Sequence, residues 1–128
     1  MAHPILSFLL IATGGALGAI VRHWLSILIG RHLGEGFPLG TLAVNVSGAA
    51  ALGLLAGWLV SPGTDGADTL IWLAAATGVL GSYTTVSSFS LQTLVMAQGG
   101  RTGHAFAYVA LSALACIAAA GAGMAAFA

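Results

Sequence analysis

The chain has 128 residues, 59% of them apolar and 5% charged, with three basic residues against three acidic ones and a net charge of zero. A soluble domain carries about a quarter of its residues as charges, so an ordinary water-soluble fold is excluded. The basic residues are Arg22, Arg31 and Arg101 and the acids Glu35, Asp65 and Asp68. They form no patch that could hold nucleic acid, and the partner this composition demands is membrane lipid.

A hydrocarbon core of about 30 Å takes a helix of about 20 residues, and the chain accommodates four such segments with little left over, in one domain covering residues 1–128. The first span is expected over about residues 4–30. Its start could imitate a signal peptide but lacks the Lys/Arg-bearing region expected ahead of one, and it reads as a retained helix. "GRHLGEGF" connects it to a second span over about 38–60. "SPGTDGAD" then supplies the Pro, Gly and Asp of a turn before a third span over about 69–98. After "GGRTG" a fourth runs over about 104–127. Closed barrels and helices alone satisfy their backbone in lipid, and apolar runs without period-two alternation predict helices.

Gly14 with Gly18, Gly53 with Gly57, and Gly121 among alanines give the small-residue spacing of close membrane packing. Cys116 reads as a small buried hydrophobe, and the redox compartment is undetermined. Arg31 and Arg101 fall in connections on one side with Arg22 near the same end. Taken literally this places both termini outside, but so slight a bias is compatible with insertion in both orientations and with an antiparallel dimer.

In the first span Gly14, Gly18 and Arg22 share one face. Arg22 either snorkels to the interface or lines a vestibule that concentrates anions. In the second, Thr41, Asn45 and Gly48 share a stripe, and Asn45 is the only amide in the spans outside the end of the third. Its carboxamide serves equally well as interhelical glue or as a site donor.

The third span contains "GSYTTVSSFS" (residues 81–90), with Gly78 and Gly81 beside its hydroxyls. Glycine and Ser/Thr together predict a local break, and freed carbonyls at such depth can bind Na⁺. The alternative is that the hydroxyls bond back to i−4 carbonyls and merely bend the helix. In the fourth span His104, Tyr108, Ser112 and Cys116 recur every four residues as a weakly polar stripe. No Asp or Glu lies within a span. Neutral donors, ring edges and one or two cations suit an anion and leave no group to carry an exchanged proton.

The motifs "GGALGAIVR", "GTLAVNVSG" and "GVLGSYTTVSSFS" resemble those of the Fluc (CrcB) family of microbial fluoride channels, over essentially the whole chain. The resemblance implies an all-α membrane protein in the cell inner (plasma) membrane. It implies four transmembrane helices per subunit with a broken third helix, and an antiparallel dual-topology homodimer. It also implies a structural Na⁺ at the dimer centre, held by the backbone carbonyls of Gly81 and Thr84. Asn45 would donate to the permeating fluoride, Ser87 and Ser88 would contribute hydroxyls, and Phe89 would offer its ring edge. Tyr108 and Ser112 would lie on a polar track, with Thr41 near Asn45 and Arg22 near the mouth. The family usually has Phe where this chain has Val86, so one of two ring positions per subunit is missing.

Fluoride is small and strongly hydrated, and a pore must replace its water with close donors, which the positive edge of an aromatic ring can supplement. The expected function is passive fluoride export rather than enzymatic chemistry. Two other readings share the architecture: a small dual-topology multidrug-type exporter, which relies on a first-helix carboxylate absent here, and a scaffold in which the polar residues are only glue.

Overall fold

The computed structural model describes residues 4–33, 36–60 and 69–127. Its long helices are α1 (Pro4–Leu33), α2 (Leu39–Val60) and α6 (Thr102–Ala125). Each is long and apolar enough to cross a bilayer. Between α2 and α6 come α3 (Thr69–Ile71), a π-helical stretch over Trp72–Leu80, α4 (Gly81–Tyr83) and α5 (Val86–Gln98). Among the described residues there is no strand. Large apolar side chains such as Phe8, Trp24, Phe106 and Ile117 face outward, the arrangement a lipid solvent favours. The fold is that of an all-α membrane protein.

Glycines set the helix spacing. A Cβ on Gly14 would lie 2.7 Å from the Ala74 carbonyl oxygen, and one on Gly18 would overlap that of Val79, so α1 lies directly on the π-helical stretch. On the other side α2 packs along α6. There a Cβ on Gly53 would overlap the Ala120 carbonyl, and Cβ atoms on Gly57 and Gly123 would come within 2.8 Å and 2.6 Å of the Met124 and Ala50 oxygens. Such contacts are how membrane helices associate when lipid and side chain are equally apolar.

Gly121, expected among the small residues of close helix packing, makes no such approach to the described residues: a Cβ there meets nothing within 4 Å. Two residues advance a helix by about 200°, so Gly121 faces away while Gly123 faces α2.

The turn after α5 is closed by the Arg101 N–H donating to the Met96 carbonyl at 2.9 Å, with Gly100 at φ 77°. That left-handed conformation suits glycine. Arg101 Nη1 then donates to the Gly36 carbonyl at 3.0 Å, joining this turn to the connection ahead of α2. The helices begin or end within a few residues of the expected spans, except that the third expected span is not one regular α-helix. Its backbone winds continuously through Gly78 and Gly81, widened to π geometry, and leaves helical conformation only at Thr84 and Thr85.

Candidate functional site

Thr84 (φ −78°, ψ 159°) and Thr85 (φ −148°, ψ 120°) are extended, a conformation that β-branched residues accept readily. Asn45 on α2 holds them there. Its Nδ2 donates to the Thr85 carbonyl at 2.9 Å, and its Oδ1 accepts from the Thr85 N–H at 2.8 Å. Both peptide units flanking Thr85 are thereby fixed by one carboxamide. An amide has two N–H donors, so one remains for another acceptor. The Thr85 hydroxyl caps α5 by accepting from the Ser88 N–H at 3.2 Å, and it also lies 3.2 Å from the Ser87 and Ser88 hydroxyls.

Two carbonyls are released by this arrangement. In a continuous α-helix the Thr85 N–H would bond to the Gly81 carbonyl. Here it goes to Asn45, and the Thr84 N–H bonds to Leu80 at 3.0 Å. Neither the Gly81 nor the Thr84 carbonyl has a backbone partner across the break among the described residues. Ser82 and Thr84 behave differently, their hydroxyls donating to the i−4 carbonyls of Gly78 and Leu80. At those two positions the hydroxyls brace the helical turn before the break.

A cleft of about 560 Å³ opens beside the break and is lined by Asn45, Gly81, Thr84, Phe89, Ser112 and Cys116 together with apolar neighbours. Ser112 is 7% exposed, and its Oγ has no hydrogen-bond partner among the described residues. A buried hydroxyl left without a partner costs about 1–3 kcal/mol. Ser112 lines the cleft, with the Oγ itself shielded behind its wall.

A second cleft of about 600 Å³ lies toward the α1–α2 and α5–α6 connections. Thr41 and Gln92 line it with Arg31 and Arg101. Tyr108 is fully buried beside it. Its hydroxyl donates to Gln92 Oε1 at 3.1 Å, the Thr41 side chain reaches the same phenol, and its ring packs between Phe37 and Phe89.

Of the residues expected from sequence, Asn45, Gly81, Thr84, Phe89 and Ser112 therefore meet at the first cleft. Thr41 belongs to the second, and Tyr108 supports Phe89 from behind. Ser87 and Ser88 gather around the Thr85 hydroxyl. Arg22 is half-buried on α1 and lines neither cleft, whereas Arg31 and Arg101 do line one. His104 is exposed.

Two residues with clear roles were not singled out from sequence. Gln92 stands three residues after Phe89 on α5 and faces the partner of that ring; its helical spacing from Phe89 was the available signal. Thr85, the partner of Asn45, had only its place among the hydroxyls to mark it. Tyr83 is a further tie between α2 and the break, its hydroxyl lying 2.8 Å from that of Ser47.

Comparison with known proteins gives this geometry its context. Residues 9–124 match the family model described as CrcB-like protein, Camphor Resistance (CrcB). The chain is 47% identical over 109 residues to the protein named Fluoride-specific ion channel FluC 2 of Bradyrhizobium diazoefficiens, covering 85% of this chain and 80% of that one. It is 48% identical over 107 residues to Fluoride-specific ion channel FluC of Hyphomonas neptunium, with 84% of each chain covered. With Fluoride-specific ion channel FluC 2 of Rhodopseudomonas palustris it shares 44% over 133 residues, 98% of this chain and 96% of the other. A match over nearly the full length makes the chain a member of the CrcB family.

Proposed function

We infer that this protein is a fluoride-specific ion channel of the membrane, the activity named for its relatives. The observation that carries the reading is the chemistry of the first cleft. It offers an amide, hydroxyls and the side of a phenylalanine ring, and among the described residues no carboxylate lines it. Such a surface can replace the hydration of a small anion without holding a proton for exchange. The multidrug-type exporter is left without support, because the first helix has no carboxylate.

In this reading fluoride leaves the cell passively across the inner (plasma) membrane along the first cleft. Asn45 donates its remaining N–H, Phe89 its ring edge and Ser112 its unpaired hydroxyl. Ser87 and Ser88 contribute hydroxyls where the Thr85 cap loosens. Thr41 and Tyr108 continue the polar route, and Arg22 acts near the mouth. A second, antiparallel copy of the chain closes the cleft. Its open state in one subunit supports that assembly: Val86 at its edge is 76% exposed.

The same break suits a structural Na⁺. Gly81 and Thr84 present carbonyls released from helical bonding, the donor type that unwound membrane helices use for this ion. When bound, the ion supplies a fixed positive charge that offsets the carbonyl dipoles and ties the two copies together. Thr84 and Thr85, with the helices either side of them, are then the broken third transmembrane helix of a four-span subunit.

Recording from planar bilayers under a fluoride gradient tests the function. A current reversing at the fluoride equilibrium potential is expected. No current, or a reversal that follows the proton gradient, would reject passive conduction.

A further inference from the structure

We propose that Asn45 is the positioning residue of the cation site: by bonding both faces of Thr85 it creates the two carbonyl ligands, Gly81 and Thr84, as well as facing the anion cleft. The inference rests on reading those carbonyls as sodium ligands, and it assigns Asn45 a role in the site beyond donation to fluoride.

The Thr85 N–H is the natural helical partner of the Gly81 carbonyl, and Asn45 Oδ1 takes it at 2.8 Å. Without that acceptor the N–H is free to return to Gly81. The helix can then continue by one more bond, since a buried donor left unpaired costs more than a strained helical turn. The same contact orients Thr84. No peptide among the described residues is cis, so the Thr84 carbonyl points opposite to the Thr85 N–H within one planar unit. With the N–H directed at α2, the Thr84 oxygen is aimed away from α2. The Nδ2 bond to the Thr85 carbonyl, 2.9 Å, fixes the next peptide and prevents the pair from rotating together.

The support for Asn45 is itself rigid. One turn along α2, Gly48 lies directly beneath the break, where a Cβ would overlap Thr84 Cγ2 and come within 3.1 Å of the Tyr83 ring. Ser47 meets the Tyr83 hydroxyl at 2.8 Å. These contacts hold α2 against the residues just before the Thr85 pair. Asn45 also lines the first cleft with Phe89 and Ser112. One side chain therefore joins the anion pathway to the cation ligands, and a change there acts on both.

The test measures Na⁺ affinity rather than flux. Purified dimer in detergent is unfolded thermally over a series of Na⁺ concentrations, with N-methylglucamine holding ionic strength constant, and the Na⁺ midpoint of stabilisation is read. Wild-type protein is expected to show such a midpoint. Asn45→Ala should raise it by about tenfold, the effect of losing one or two ordinary hydrogen bonds. Replacing Thr85 by its α-hydroxy acid analogue, which deletes the N–H that Asn45 accepts and turns the Thr84 carbonyl into a weaker ester ligand, should raise it by at least as much. Tyr108→Phe, which removes a hydrogen bond at the other cleft, should lower the melting temperature and leave the midpoint where it was.

An Asn45→Ala dimer with the wild-type midpoint would overturn the inference while leaving the sodium reading intact. Should Asn45→Ala yield no dimer, a wild-type midpoint in the Thr85 analogue would overturn it instead. If wild-type protein is indifferent to Na⁺, the sodium reading itself fails and the inference falls with it.

Discussion

Phe89 and Tyr108 pack with ring centroids 5.2 Å apart and planes tilted by 42°, and Phe37 closes the Tyr108 ring edge-on at 5.3 Å. The phenol is pinned in turn by Gln92. The ring that lines the anion cleft is thus held by a residue that is itself fully buried. Tyr108→Phe keeps this stack and loses one hydrogen bond, so stability in detergent should fall by about 1 kcal/mol, with fluoride flux reduced by a few-fold as the polar route loses a hydroxyl. Tyr108→Ala removes the support and leaves a cavity costing about 3 kcal/mol or more. Its flux should collapse together with its stability. Denaturation midpoints and liposome efflux on the two variants check the pair.

Ser112 gives the opposite sign for stability and function. Its hydroxyl is buried without a partner, so Ser112→Ala relieves an unmet polar group and should leave the subunit as stable as wild type or more so, by about 1 kcal/mol. Flux should drop, because a hydroxyl in the cleft wall is lost. A variant with unchanged efflux would make Ser112 a packing residue only.

Glycines on α6 separate packing from composition. Gly123→Val pushes branched carbons into the Ala50 carbonyl and should prevent assembly of α2 on α6, read as loss of monodisperse protein after extraction. Gly121→Val places the same side chain in open space and should give normal yield and flux.

This contrast also marks what the sequence could reveal. Apolar length and turn residues placed the helices, because bilayer thickness is a one-dimensional constraint and hydropathy reads it directly. Gly121 and Gly123 look alike in composition, and only helix phase against a neighbour distinguishes them. Local glycine and hydroxyl content points to an interruption where Gly78 and Gly81 meet the hydroxyl cluster of residues 81–90, and within that stretch the backbone leaves the helix at Thr84 and Thr85. A long-range contact from Asn45, forty residues away in sequence, decides that position. Such a pair carries no local signature. For the same reason, sequence left Asn45 balanced between glue and donor, and the geometry has it bonded to Thr85 with one N–H remaining.

Val86 tests the role of ring edges in conduction. It is 76% exposed beside Phe89 at the edge of the first cleft, so a ring there would line the cleft that the second copy closes. Val86→Phe should increase fluoride flux without loss of stability, and Phe89→Ile should reduce it by more than about tenfold, since an aliphatic group presents no positive edge. Efflux rates on both variants, normalised to reconstituted protein, decide the matter.

Arg31 and Arg101 line the second cleft together, and two positive charges at its walls should raise the local anion concentration. Arg31→Gln is expected to lower the initial flux several-fold at low ionic strength. The deficit should vanish near 1 M salt, where screening acts within about 3 Å. An effect independent of salt would point to a structural contact instead. Arg101 is less suited to this test because its guanidinium also holds the Gly36 carbonyl.

The most direct measurement of the central claim is parallel fluoride and chloride efflux from liposomes holding the purified protein, followed with ion-selective electrodes and no proton gradient. Rapid loss of fluoride with chloride retained is the result predicted for a cleft of uncharged donors that accepts only the smaller anion. Fluoride retention equal to that of protein-free vesicles, or equal release of both ions, would contradict it.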